Sequence, residues 1–186
     1  GSGKTEQITP TDITNFDCFD GCYLPDGRIT FCSTATFLGL PCINGRPRMS
    51  GLYQIEPQTK NIRQITFDQD SNWEPVVMND GKVLYQRWEY SGLPHSNSRL
   101  LFTMNPDGTS QLAHYGSNSY FPTAFFGARP IPGHSSAVAG IATGHHSVSR
   151  AGRLLIIDPT KGRHEADGVV AEIPHRGRKV EPIIRD

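Results

Sequence analysis

Leu24-Pro25-Asp26-Gly27, followed by Arg28-Ile29-Thr30-Phe31, returns as Met78-Asn79-Asp80-Gly81, followed by Lys82-Val83-Leu84-Tyr85. A looser third copy is Pro130-Ile131-Pro132-Gly133, with Ala137-Val138-Ala139-Gly140-Ile141 behind it. Asp-Gly between apolar runs is a strong hairpin signal, because its central positions take positive φ. A second landmark keeps step with the first. Leu52-Tyr53-Gln54-Ile55-Glu56-Pro57, Leu101-Phe102-Thr103-Met104-Asn105-Pro106 and Leu154-Leu155-Ile156-Ile157-Asp158-Pro159 each read as a strand closed by a proline turn. After the first two, a short polar turn leads into another short strand, at Ile62–Thr66 and Gln111–His114; in the third copy the strand comes later, at Val169–Ile173.

Each copy spans about 50 residues and supplies about four short strands, which is the blade period of a kelch-size propeller. No segment carries apolar residues at helical spacing with caps. A β-sandwich is also all-β, but it has no reason to keep two landmarks in order through three copies. The expected fold class is therefore all-β: a partial β-propeller of about three four-stranded antiparallel blades. The blades are expected at roughly 12–70, 71–118 and 119–186, after a tag or linker at 1–11 that opens Gly1-Ser2-Gly3. Rings typically need four to eight blades, and an end blade leaves one face uncovered. Three blades, with an apolar strand-like run at Glu181–Asp186, predict a piece of a larger ring.

The 186 residues carry 18 basic and 18 acidic side chains, so the net charge is zero. That argues against a nucleic-acid partner or an anionic membrane surface, both of which want a basic excess. No apolar run approaches the roughly 18 residues of a membrane helix, so no membrane insertion is expected. Gly and Pro, 19 and 14 residues, fit a chain of turns and short strands. All four cysteines, Cys18, Cys22, Cys32 and Cys42, fall in the first 42 residues. They permit three pairings, and a Cys32–Cys42 hairpin disulfide, a metal-like Cys18–Cys22 spacing and plain buried thiols all stay open.

The blade formula resembles the TolB-type propeller repeat, in which a leucine-aromatic strand alternates with an aspartate-glycine turn. Longer stretches resemble more specifically the middle propeller domain of the hydrazine synthase alpha subunit family. They include Asp12-Ile13-Thr14-Asn15-Phe16-Asp17-Cys18-Phe19-Asp20, Arg63-Gln64-Ile65-Thr66-Phe67-Asp68-Gln69-Asp70, Ala128-Arg129-Pro130-Ile131-Pro132-Gly133-His134 and Gly162-Arg163-His164-Glu165-Ala166-Asp167-Gly168. The resemblance implies an extracytoplasmic, periplasmic location and, in the synthase itself, a c-type haem held by Cys-x-x-Cys-His with a tyrosine iron ligand four residues on. The comparable stretch here is Ala142-Thr143-Gly144-His145-His146-Ser147-Val148-Ser149-Arg150. It keeps the histidine as His146, but Ala142 and His145 stand at the cysteine positions and Arg150 at the tyrosine. Without thiols no thioether link forms, so haem c is not expected in this chain.

The same resemblance makes zinc the metal to consider, with His146 and Cys18 as ligands and Asp20 beside them, since thiolate, imidazole and carboxylate form a zinc-type donor set. The plainer reading is that His145 and His146 are hydrogen-bonded structural residues; as neighbours in a strand they point to opposite faces. Carboxylates cluster at Asp12, Asp17, Asp20 and Asp26 and again at Asp68, Asp70, Glu74 and Asp80. They can serve acid–base or calcium chemistry, but Asp26 and Asp80 are explained by their turns. Trp73, Trp88, Tyr90, Tyr120, Phe121, Phe125 and Phe126 either form a sugar or peptide platform or fill space between blades. The leading expectation is a structural or interaction module, not catalytic by itself, whose partners are further blades of the same protein or other subunits. The rival is a metal- or haem-dependent redox enzyme domain with a site near His146 and Cys18 at the propeller axis.

Overall fold

A computed structural model of the chain describes residues 3–41, 44–89, 99–144 and 151–173. The described residues form twelve strands in two sheets and no helix. In the first sheet β1 (Cys18–Tyr23), β2 (Ile29–Ser33), β3 (Gly51–Glu56) and β4 (Asn61–Gln64) follow one another as an antiparallel meander. In the second, β5 (Asn72–Val77), β6 (Val83–Trp88), β7 (Arg99–Met104) and β8 (Leu112–Tyr115) repeat that order. So do β9 (Ala124–Pro130), β10 (Val138–Thr143), β11 (Arg153–Ile157) and β12 (Val169–Ile173). These last two meanders count as one sheet through a single parallel pairing, Arg99 with Ala124. Neither sheet closes on itself.

Both sequence landmarks fall where strands form. The Asp-Gly turns join β1 to β2 and β5 to β6. In each, the fourth residue's amide bonds back across the turn, Gly27 to Leu24 at 3.0 Å and Gly81 to Met78 at 2.9 Å. The aspartate beside each glycine accepts from the amide just ahead of the next strand, Asp26 from Arg28 and Asp80 from Lys82, both at 3.1 Å. Asp107 and Asp158 close the later proline turns in the same way, from Thr109 and Thr160 at 3.0 Å. These four carboxylates are turn formers, as their Asx geometry requires.

Side-chain alternation makes both faces of the middle strands apolar. In β3, Leu52 faces one way and Tyr53 and Ile55 the other. Leu52, with Leu24, Cys32 and Ile65, packs against Val83, Tyr85, Phe102 and Met104 of β6 and β7. On the opposite side of that meander, Leu84, Leu101 and Tyr115 pack against Phe125, Val138, Leu155 and Ile157 of β9–β11. Each fully buried aliphatic side chain in these layers contributes roughly 1.5–3 kcal/mol. Polar links pin the layers at their rims. The Gln54 amide donates to the Pro106 carbonyl, Arg63 to the Asp107 carbonyl at 3.0 Å, and Gln111 to the Ile65 carbonyl at 3.2 Å. Between the second and third meanders, Gln86 donates to the Phe125 carbonyl and Asn79 to the Ile131 carbonyl, both at 2.7 Å.

Candidate functional site

The first strands of the three meanders gather on one side, with β1 beside β5 and β5 beside β9. Each is broken by a β-bulge. Register slips between Phe19 and Cys22 in β1, between Trp73 and Val76 in β5, and between Phe126 and Arg129 in β9. At every bulge an aromatic residue is followed by one with positive φ: Asp20 at 52°, Glu74 at 53° and Gly127 at 63°. These positions lie 54 and 53 residues apart. A bulge re-aims its side chain and bends its strand, and here it turns Asp20 and Glu74 towards a common cleft. An L-residue in this left-handed region is strained, and such strain collects at ligand sites.

The cleft encloses about 570 Å³ and is lined by Asp20, Leu40, Trp73, Glu74, Trp88, Arg99, Phe126, Gly127 and Ile141. Its floor is aromatic. Trp73 and Trp88 stack with ring centroids 5.9 Å apart and planes at 28°. The Arg99 guanidinium lies 4.2 Å from the Trp88 centroid and 5.2 Å from that of Trp73, a cation–π arrangement that holds its planar fork in place. The Glu74 carboxylate accepts from the Gly127 amide at 2.6 Å and so ties the β5 bulge to the β9 bulge. Asp20 stands 4.0 Å from the buried thiol of Cys32. Burial chiefly, and then the charges of Asp20 and Glu74, push that thiol far above the ordinary cysteine range. Behind Arg99, Asp70 is 1 % exposed. Burial raises its pKa, while the charge of Arg99 opposes the rise.

Of the residues expected to hold zinc, Cys18 and Asp20 are described, and they line different pockets. Cys18 sits on β1 with its thiol 3.7 Å from the Ser33 hydroxyl, and burial raises its pKa. It lines the outer face of the first sheet beside Phe31 and Tyr53, whereas Asp20 lines the cleft. Asp20 therefore neighbours Cys32, not Cys18. His145, His146 and Arg150 lie outside the described residues, as do Tyr90 and Cys42; Ala142 is buried on β10, paired with Arg153. Cys18, Cys22 and Cys32 are free thiols. Among the described residues no group of three or more His, Cys, Asp or Glu is placed to hold a metal ion. Of the aromatic residues, Phe121 and Phe125 belong to the core, Tyr120 is exposed, and Trp73, Trp88 and Phe126 reach the cleft.

Arg99 carries no motif in the sequence, and nothing there marks it out. The bulges do leave a signal, an aromatic residue followed by a polar residue or glycine and then a small residue or proline. It reads Phe19-Asp20-Gly21, Trp73-Glu74-Pro75 and Phe126-Gly127-Ala128.

No family model matches the chain, and no curated protein matches it in sequence. Solved structures do match in shape. A putative TolB from Agrobacterium tumefaciens superposes on 81 % of this chain and 48 % of its own, with TM-score 0.56 and 16 % identity. The Kuenenia stuttgartiensis hydrazine synthase superposes on 71 % of this chain and 20 % of its own, with TM-score 0.55 and 18 % identity. TolB from Acinetobacter baumannii superposes on 77 % of this chain and 30 % of its own, with TM-score 0.51 and 14 % identity. The chain thus spans less than half the length of each of these propeller proteins, and what it shares with them is the β-propeller fold.

Proposed function

We propose that the chain is a structural and interaction module: three four-stranded blades, at roughly 12–70, 71–118 and 119–186, of a larger ring in a hydrazine-synthase-alpha-like extracytoplasmic protein. The partner of its end faces is a further blade of the same kind. The observation that carries this reading is the outer face of the first sheet. Its inner face packs on β6 and β7 through Leu52 and Cys32. Its outer face is equally apolar, with Phe31, Tyr53 and Ile55 in one cluster, and among the described residues it is covered in part by the segment from Ile8 to Phe16 and by Ala35 and Phe37 rather than by another sheet. Two apolar grooves of about 280 and 210 Å³ stay open there, beside Phe19, Tyr23, Ile13 and Phe37. Tyr23 is 73 % exposed. A blade that offers the same chemistry on both faces is built to be covered on both.

The test uses the 186-residue chain. The reading expects it to take up a hydrophobic dye and to self-associate with rising concentration in sedimentation velocity. Tyr23→Lys combined with Phe37→Glu abolishes both while the far-ultraviolet circular dichroism stays unchanged. A monodisperse chain that binds no dye at its highest soluble concentration overturns the reading.

A further inference from the structure

We propose that the cleft between β1, β5 and β9 binds a neutral polyhydroxylated ligand of mono- or disaccharide size. The volume, about 570 Å³, lies inside the range of roughly 300–1,000 Å³ typical of small-molecule sites. The lining sets the chemistry. Asp20 and Glu74 bring acceptor-only carboxylates from two bulges, and Arg99 brings a fork of donors held against Trp88 and Trp73. Trp73 and Phe126 are half-buried, so each keeps part of its surface towards the cleft. A simple cation entering here meets Arg99, and a simple anion meets Asp20 and Glu74. A ligand that offers hydroxyls to both signs and an apolar C–H face to an aromatic ring satisfies all four groups. These side chains also make contacts within the chain, such as Glu74 with the Gly127 amide, and a ligand would add to them. A carboxylate has about four lone-pair positions and a guanidinium five N–H donors.

The chain supplies its own probe, because its two tryptophans, Trp73 and Trp88, both line the cleft. Intrinsic fluorescence of the 186-residue chain is titrated with glucose, galactose, mannose, xylose, maltose and cellobiose, and separately with spermidine and citrate. The proposal expects a saturable change with at least one neutral sugar, unaltered by added salt, since no net ionic attraction drives it. It expects at least tenfold weaker binding in Asp20→Asn and in Arg99→Lys, read by ligand-observed NMR with circular dichroism confirming the fold. Either variant alone decides if the other misfolds. The proposal is overturned if none of the six sugars binds, if only a charged probe binds with salt sensitivity, or if sugar binding survives unchanged in a folded variant. Failure of end-face association would leave this result untouched, because Tyr23 and Phe37 do not line the cleft.

Discussion

Glu74 does two opposed things in the structure, and substitutions separate them. Its carboxylate accepts from the Gly127 amide at 2.6 Å, and its backbone is held at φ 53°. A hydrogen bond to a charged acceptor contributes about 1.5–3 kcal/mol. Left-handed backbone costs an L-residue roughly 1–2 kcal/mol, a cost glycine escapes. Glu74→Ala loses the bond and keeps the strain, so it should destabilise by about 1.5–3 kcal/mol. Glu74→Gly loses the same bond but relieves the strain, and should be the more stable of the two by about 1 kcal/mol. In an ordinary strand the order is reversed, with glycine worse than alanine by roughly 0.5–1 kcal/mol. Glu74→Gln keeps a neutral acceptor and should lose about half of the bond. Gly127→Ala tests the same idea from the other side. No atom lies within 4 Å of the added Cβ, so its cost is backbone strain alone. Urea denaturation followed by circular dichroism reads all four, and melting should shift by about 2–4 °C for each kcal/mol. A Glu74→Gly variant less stable than Glu74→Ala would refute the argument that the bulge holds Glu74 against its own backbone preference.

Three further outcomes follow from buried groups. The Cys32 thiol, buried and pushed far up in pKa, should resist iodoacetamide in the native chain at pH 8 while exposed Cys18 reacts, with a rate ratio of about 100-fold or more read by mass spectrometry. Asp70 is buried, and neither of its oxygens has a hydrogen-bond partner among the described residues. Its raised pKa means the folded state favours the protonated form, so its contribution to stability is full below the unfolded value of 3.8 and is lost as pH rises through the folded one. Asp70→Asn should therefore be more stable than the parent at pH 7, with the gap narrowing towards pH 4; an unchanged gap across that range in paired urea melts would count against it. Gly140→Ala brings a Cβ to 2.5 Å from the ring of core residue Phe125, and should cost about 1–3 kcal/mol by overpacking, measured by the same melts.

How far the sequence carried the fold depended on what each strand must do. β2, β6 and β10, and likewise β3, β7 and β11, lie inside sheets and carry apolar side chains on both faces, so they read as apolar runs bounded by Asp-Gly and proline turns. Those turns are local chemistry, written in Asp26, Asp80, Asp107 and Asp158, and were legible for that reason. β1, β5 and β9 were not. They line a cleft on one side, so they carry no continuous apolar run. They are also bulged, and β5 contains Pro75, which demotes a stretch to edge strand or loop by any rule that assumes regular pairing. Two of the residues expected at a metal, Cys18 and Asp20, part company for a related reason. Cys18 and Asp20 are two apart, and regular alternation would put both side chains on one face. The bulge begins between them, at Phe19, and sends Asp20 to the cleft while Cys18 stays on the outer face. One extra residue in β1 thus hides the strand from a pattern search, separates the thiol from the carboxylate, and supplies the cleft with its first acceptor. The site was hardest to read where the backbone departs from the repeat, because that departure is what aims its side chains.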